Sequence, residues 1–453
     1  MVLATSLSAL LLAGFAAART CSNFSIPIEI SSRQGVFPDI PAESNLEVTD
    51  FAQKFSQQGR NYSATILKGY ATVQGKYQIS AKYCQPDSGK GSTIQILSHG
   101  IGFDKTYWDL SYNNYNYSYA KVANAAGYST LAIDRLGIGN SSHGDPINEI
   151  QAQLEVEALN AVTTMLRAGK IPEIKNHYSK VIHVGHSFGS IQSYWLSALY
   201  PNNTDGLVLT GFSVNGTFLP SQTVPAWNLH SARLNQPLRL GNASIKELQS
   251  MSNGSLKNSS LIQVLQTLLK SGGVAVSTDD IWNDIATTEV DDIINGWNVT
   301  GEQRLDYPSG YLTHSDLTAN QFVFLRYGAY DIGLGVVTEQ TKQPVTIGEI
   351  LTAGSAPMMS SFGGPVIIFT GEFDEPFCGL DCYATGGAAP SIPAQAQQGF
   401  PNAKAFEAYI QPNSGHGINA HYNSTAGNEY VQKWLAANGL GARMAEYDMT
   451  AGH

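Results

Sequence analysis

The chain has 453 residues, with 36 acidic and 26 basic side chains and a formal net charge of −10. Only 14% of its residues are charged and 43% are apolar, so the chain can build a large packed core and is not disordered as a whole. Nucleic acid needs a positive surface, and the net acidity without a run of Lys or Arg excludes it as a partner.

The first 18 residues are typical of a secretory signal peptide. They carry no charged side chain, and an apolar run from Leu7 to Phe15 is followed by three alanines and Arg19. This pattern predicts export and cleavage after Ala18, with a short buried helix as the alternative. No other stretch reaches the roughly 20 apolar residues of a membrane span, so we expect a secreted protein without a stable membrane anchor.

Two further features agree with an extracellular location. The four cysteines form an even set in which Cys378 and Cys382 are close enough to pair, which leaves Cys21 with Cys84. A zinc site is the alternative, but two cysteines separated by three residues, without a nearby His, have poor metal spacing. Eleven N-x-S/T glycosylation sequons begin at Asn23, Asn61, Asn116, Asn140, Asn202, Asn215, Asn242, Asn253, Asn258, Asn298 and Asn423.

Apolar runs and helical periods alternate along the chain. Strands are predicted over 66–73, 76–83, 94–97, 129–133, 181–184, 207–209, 366–369 and 406–410, and helices over 149–168, 190–199 and 430–435. The later strands are almost continuously apolar, as in strands buried on both faces. The sequence therefore predicts an α/β fold with a mostly parallel, doubly wound sheet, whose ligands bind at the carboxyl ends of the strands.

The alternation is interrupted by residues 214–362, which are too long for an ordinary connection. We predict that they form an inserted cap on a core made of residues 19–213 and 363–453. The cap includes a helical stretch at 278–298. Its aromatic residues favour a small hydrophobic substrate, or they form the core of the cap itself: Trp282, Trp297, Phe322 and Phe324.

The most informative motif is Gly185-His-Ser-Phe-Gly189, which follows a predicted strand and opens a predicted helix. In that setting a G-x-S-x-G sequence holds its serine on a strained turn with the hydroxyl exposed. Ser187 is therefore the predicted nucleophile.

A serine nucleophile needs a general base and a carboxylate that orients it. His416 lies in a loop after the last predicted strand and is the predicted base, with His421 as the competing histidine. Asp374 follows the strand at 366–369 and is the predicted carboxylate; Glu372, Glu375 and Asp381 compete with it.

The tetrahedral intermediate also needs backbone N–H donors for its oxyanion. We predict those of Phe188, next to the nucleophile, and Ile101, in the loop after the strand at 94–97. His99 in the same loop is interpreted as a residue that orders the loop by hydrogen bonding.

The order Ser187, Asp374, His416 and the segments His99–Gly102, Asp134–Gly139 and Gly185–Gly189 make the chain resemble the α/β-hydrolase superfamily. The resemblance covers residues 70–440, places residues 214–362 where that family carries its cap, and extends through the export features to secreted fungal serine esterases. It implies that Asp134–Gly139 supports the structure. Family members with Asp at the elbow open epoxides or displace halide, which Ser187 argues against.

Four functions remain open at this point. They are a secreted carboxylic-ester hydrolase, a hydrolase that acts on a lactone or thioester in fungal secondary metabolism, a prolyl-type peptidase, and an inactive relative that serves as a binding module. The sequence contains no metal-ligand motif and no dinucleotide fingerprint, so we expect no cofactor and no metal. It does not indicate the oligomeric state.

Overall fold

A computed structural model describes residues 19–86, 91–242 and 305–442. The signal peptide at 1–18, the cap helix at 278–298, Trp282, Trp297 and the sequons at Asn253, Asn258 and Asn298 lie outside the described residues. Within the described ranges, no helix combines the length and the apolar character that crossing a bilayer requires.

Among the described residues, the central sheet has eight strands in the order β1-β2-β4-β3-β5-β6-β10-β11. Strand β2 is antiparallel to both of its neighbours, and β3 to β6, β10 and β11 run parallel. The bounds of these strands are β1 Arg19–Val36, β2 Gly69–Pro86, β3 Thr93–Ser98, β4 Ser129–Ile133, β5 Lys180–His186, β6 Gly206–Thr210, β10 Val366–Phe373 and β11 Phe406–Gly415. The predicted fold class, an α/β-hydrolase sheet that is mostly parallel, is confirmed.

The predicted strands after residue 90 lie where they were expected, and most of them are buried on both faces; the edge strand β11 is only partly buried over 406–410. Every residue of β3, β4 and β6 is buried. The first sheet strands differ from the prediction. One long strand, β2, replaces the two expected between residues 66 and 83, and β1 pairs with it along its whole length from Arg19 to Val36.

The α-helices in the described part of the chain are α1 Asn45–Phe55, α2 Tyr62–Ile66, α3 Tyr112–Tyr115, α4 Tyr119–Ala125, α5 Ala152–Arg167, α6 Phe188–Leu199, α7 Val224–Trp227, α8 Ala232–Asn235, α9 Leu317–Phe324, α10 Ile332–Gln340, α11 Ile347–Thr352, α12 Glu375–Cys378 and α13 Ser424–Leu435. Helices α5 and α6 match the predicted ones. Helix α13 ends as predicted but begins six residues earlier than the predicted Tyr430.

The described parts of the predicted cap, residues 214–242 and 305–362, contain helices α7 to α11 and a small antiparallel sheet. Its three strands, in the order β7-β8-β9, are β7 His230–Ser231, β8 Tyr311–Thr313 and β9 Val345–Thr346. Several hydrogen bonds join this region to the core: the Gln343 N–H donates to the Gly102 carbonyl at 3.0 Å, and the Gly348 N–H donates to the Pro146 carbonyl at 2.7 Å.

Two disulfides join the cysteines in the predicted pairs. Cys21 and Cys84 lie directly opposite each other in the β1–β2 register and are bonded. Cys378, at the end of α12, is bonded to Cys382. The second disulfide closes the loop that follows Asp374.

Candidate active site

Ser187 lies on the sharp turn between β5 and α6. Its φ of 54° and ψ of −118° are outside the regions that L-residues favour, so its conformation is strained. The Ser187 N–H donates to the Thr210 carbonyl at 2.9 Å, and its side chain makes no hydrogen bond to the helix that it opens. The Ser187 hydroxyl thus lies at the end of the sheet and does not cap helix α6.

The two glycines of the motif are required by close packing. A Cβ on Gly189 would lie 2.2 Å from the Ser98 carbonyl oxygen, and one on Gly185 would lie 2.4 Å from the Gly189 oxygen. Both contacts are with backbone atoms that cannot move away independently. Gly100 likewise approaches the Ser187 Cβ, which a Cβ on Gly100 would meet at 2.7 Å. The loop after β3 therefore packs directly against the elbow.

His416 and Asp374 form a buried pair. The His416 Nδ1–H donates to the Asp374 Oδ2 at 2.8 Å, and both side chains are fully buried. Asp374 also accepts hydrogen bonds from the Thr370 hydroxyl and, at 3.0 Å, from the Phe377 N–H. With Nδ1 protonated, Nε2 of a neutral His416 carries a lone pair, and this atom is buried without a hydrogen-bond partner among the described residues.

The structure brings His416 to the same end of the sheet as Ser187. The ring of His186, the residue before Ser187, lies 4.8 Å from the His416 ring. A Cβ on Gly211, which follows β6, would lie 2.8 Å from the His416 Cε1. No hydrogen bond joins the described side chains of Ser187 and His416, and such bonds are often long before substrate binds.

His186 was not singled out from the sequence, and it stays neutral beside the site. Burial, together with the nearby His416 and His99, holds the pKa of His186 well below its usual range. Its ring stacks on Tyr107 with a centroid distance of 4.3 Å. His186 therefore adds no positive charge next to His416.

The competing residues have other partners. His421 Nε2 accepts hydrogen bonds from the N–H groups of Gly415 and Arg326, each at 3.0 Å, so His421 orders the loop that carries His416. Burial lowers the pKa of His421 to about 4. Glu372 accepts from the Asn413 N–H at 2.9 Å, and Asp381 accepts from the Tyr383 N–H at 2.9 Å.

Glu375 follows Asp374 directly and is buried. Its Oε2 lies 2.8 Å from the Thr223 hydroxyl, whereas Oε1 has no hydrogen-bond partner among the described residues. Burial raises the pKa of Glu375 to about 8, and the negative charge of Asp374 adds to the effect. Nothing in the local sequence distinguishes Glu375 as a neutral acid, because its environment comes from a segment about 150 residues earlier.

The predicted oxyanion donors flank the elbow. Phe188 begins α6, and Ile101 lies in the loop whose Gly100 contacts Ser187. Neither N–H group donates a hydrogen bond to another described residue. His99 takes the ordering position predicted for it: it accepts from the Arg135 N–H at 3.0 Å and bonds the Gly100 carbonyl at 2.8 Å.

The segment Asp134–Gly139 holds buried charges beneath the site. Asp134 accepts from the Lys105 N–H at 2.9 Å and from the Lys105 ammonium at 2.7 Å. The Arg135 guanidinium lies 4.8 Å from the centre of the Phe188 ring. It is paired with Glu155 at 2.7 Å and with Glu349, which belongs to the predicted cap.

The fold is decided by the order of the sheet strands, the sharp turn at Ser187 and the position of the His416–Asp374 pair. It is the α/β-hydrolase fold. The chain matches no family model and no curated protein sequence. Among solved structures it is similar to a thermophilic esterase from Thermogutta terrifontis, with 11% identity, 80% of this chain and 94% of that chain covered, and a TM-score of 0.38.

Two epoxide hydrolases with this fold are also similar. A laboratory-evolved variant of the potato enzyme has 12% identity, with 80% of this chain and 96% of that chain covered and a TM-score of 0.40. An enzyme from Vigna radiata has 13% identity, with coverage of 80% and 94% and a TM-score of 0.38.

Of the four aromatic cap residues predicted to favour a hydrophobic substrate, two are described. Phe324 is buried, and its ring lies 5.8 Å from the His416 ring and 5.0 Å from the Phe103 ring. Phe322 is 47% exposed and is therefore not one of the buried rings beside His416.

The described sequons differ in accessibility. Asn23, Asn61, Asn116, Asn140, Asn202 and Asn242 are exposed, and Asn215 and Asn423 are half-buried. The amide of Asn423, to which a glycan would be attached, donates to the Pro412 carbonyl at 2.8 Å. A glycan would have to be accommodated on this half-buried, hydrogen-bonded amide, so Asn423 is less accessible than the exposed sequons.

Proposed function

We propose that the chain is a serine hydrolase that cleaves a carboxylic ester through an acyl-enzyme on Ser187. The observation that carries the proposal is the strained turn that presents Ser187 beside the buried His416–Asp374 pair. All three positions of a triad are filled, which favours an enzyme over an inactive binding module. Ser187 disfavours epoxide opening, because that reaction needs a carboxylate at the elbow.

The reaction follows from the position of each group. The Ser187 Oγ attacks the ester carbon as its proton passes to the His416 Nε2, and the carbonyl oxygen becomes an oxyanion bound by the N–H groups of Ile101 and Phe188. The intermediate collapses, and His416 returns the proton to the departing alcohol. Water then attacks the acyl-enzyme with the same base, which releases the acid and restores the Ser187 hydroxyl.

The test uses a chromogenic acyl ester with the wild type and Ser187→Ala. Loss of turnover by a factor of at least 10³ is expected, since the serine provides the covalent route. Ser193→Ala is the matched control, because this serine lies in the same helix and its hydroxyl donates to the Gly189 carbonyl at 2.8 Å. Equal turnover in the wild type and Ser187→Ala would refute the mechanism.

Labelling and alternative substrates separate the remaining functions. A fluorophosphonate should add to the peptide that contains Ser187 and not to that peptide in the Ser187→Ala variant. Thioester, lactone and prolyl-amide substrates measured in parallel should be hydrolysed more slowly than the ester. A preference for the amide would assign a peptidase, and a preference for a lactone or thioester would assign the biosynthetic role.

We also propose that the protein is secreted and carries glycans. The two disulfides and the exposed sequons support this location. Expression of the full chain in a eukaryotic host should give a secreted product that begins at Arg19 and increases its gel mobility after removal of N-linked glycans. An intracellular product with an intact N-terminus would contradict the proposal.

A further inference from the structure

A second histidine–carboxylate pair lies in the predicted cap. The His314 Nε2 is 2.9 Å from the Glu339 Oε2, and both residues are almost completely buried. The Asn320 amide donates to the same Glu339 oxygen at 3.1 Å, and the Lys342 ammonium binds the other oxygen. This second pair belongs to the insertion and is separate from the His416–Asp374 pair.

The hydrogen bonds fix which nitrogen of His314 carries the proton. Burial opposes ionisation of Glu339, but Lys342 and His314 together hold the pKa of Glu339 below its usual range. Glu339 therefore only accepts hydrogen bonds, and the His314 Nε2 must be the donor. Burial lowers the pKa of His314, which keeps the ring neutral. Its Nδ1 is consequently a lone-pair acceptor, and it makes no hydrogen bond to a described residue.

The His314 ring lies close to the oxyanion loop. Its Cε1, the ring carbon between Nδ1 and Nε2, is 4.0 Å from the position of a Cβ on Gly102, the residue after Ile101. The ring centre is 6.1 Å from that of Phe324, which in turn packs at 5.8 Å against His416. His314 is thus one ring away from the catalytic base.

The backbone at His314 is held from two sides. The Lys342 ammonium donates to the His314 carbonyl at 3.0 Å, and the Ser315 N–H donates to the Trp227 carbonyl at 3.0 Å. Two further fixed points, the Glu339 bond and the contact with Phe324, leave the ring little freedom to turn. Because the His314 ring is already ordered, a hydrogen bond from a substrate to it costs little side-chain entropy, and the ring can discriminate between substrates.

We propose that the His314 Nδ1 accepts a hydrogen bond from a hydroxyl or N–H group of the substrate close to the scissile carbonyl. This inference rests on the proposed ester hydrolysis and deepens it, because it assigns the substrate to the class of esters that carry such a donor. A fully apolar ester bound over Nδ1 would exclude water from this acceptor and leave it unpaired, and a site of that kind rejects analogues that lack the donor.

The experiment compares matched aryl and alkyl esters that differ only in the donor. Aryl hydroxyacetate is paired with aryl methoxyacetate, which places the group on the acyl side, and 2-hydroxyethyl acetate is paired with 2-methoxyethyl acetate, which places it on the alcohol side. Each kcat/KM ratio is measured for the wild type, His314→Phe and Asn320→Ala. The ratio obtained on one preparation does not depend on the folded fraction.

The wild type should favour the hydroxylated member of at least one pair by about tenfold, as expected for one buried hydrogen bond. His314→Phe should reduce that ratio to the value of spontaneous hydrolysis. Asn320→Ala, which loses a bond to Glu339 but retains Nδ1, should keep the wild-type ratio.

Two results would overturn the inference: no preference by the wild type in either pair, or a preference that His314→Phe retains. The wild-type result decides even where the Phe variant does not fold. Failure of the proposed function looks different, because Ser187→Ala would then hydrolyse both members of each pair as fast as the wild type.

Discussion

The buried acid beside the candidate triad makes stability depend on pH in a predictable direction. Glu375 has its pKa raised by burial from the ordinary value of 4.5 to about 8. The folded protein therefore holds this proton more tightly than the unfolded chain does. Because the folded state binds more protons between these two values, the free energy of unfolding decreases as pH rises from about 4.5 to about 8.

The size of the effect follows from the shift. Each pKa unit corresponds to about 1.36 kcal/mol, so ionisation of Glu375 removes on the order of 3 kcal/mol of stability between pH 5 and pH 8. Glu375→Gln removes the titration and keeps a side chain of the same shape, whose carbonyl oxygen can still accept the hydrogen bond from the Thr223 hydroxyl.

Urea unfolding monitored by intrinsic fluorescence at pH 5, 6, 7 and 8 measures the change. The wild type should lose about 3 kcal/mol more than Glu375→Gln over this range, since other titrating groups contribute equally to both. Glu372→Gln, at the end of β10, controls for the removal of a nearby carboxylate and should follow the wild type. Identical pH dependence of the wild type and Glu375→Gln would refute the assignment of a neutral buried acid.

Two further predictions concern the elbow and the triad. Asp374→Asn keeps an oxygen for the Phe377 N–H but turns an amide donor toward His416. The kcat for a chromogenic ester should therefore fall by roughly 10³ to 10⁴, with little change in the unfolding midpoint. A fall of less than tenfold would exclude a catalytic role for the Asp374 carboxylate. Gly189→Ala places a Cβ 2.2 Å from the Ser98 oxygen and should destabilise by about 3 kcal/mol or more in thermal unfolding. Gly216→Ala is its control, because a Cβ there meets no atom within 4 Å, and equal midpoints for the two variants would contradict the packing argument.

Sequence patterns predicted the strands that are buried on both faces, because such strands must be apolar throughout. Strand β1 was not predicted, since it is exposed on one face and contains many polar residues. Its alternating Ile26, Ile28 and Ile30, all buried, were a usable signal for a half-buried strand. Helix α1 also carried a readable signal, the capping box formed by Ser44 and Glu47.

The residues of the candidate site also fall into two groups, those that a sequence pattern predicts and those that it does not. Ser187, Asp374 and His416 could be proposed because each follows a strand of the sheet, and the topology alone brings strand ends together. The neutral state of Glu375 could not be proposed, because it depends on burial against Thr223. The position of His314 next to Gly102 joins residues more than 200 positions apart, and no local pattern encodes such a contact.

The ion cluster around Arg135 limits how the inserted region can be exchanged. One carboxyl partner of this arginine, Glu155, belongs to helix α5, and the other, Glu349, belongs to the predicted cap. Exchange of this region would remove Glu349 and leave the buried Arg135 paired with Glu155 alone, a carboxyl group whose pKa is raised well above its usual range by burial. A design that replaces the segment containing Glu349 should therefore also replace Arg135, which lies against the Phe188 ring.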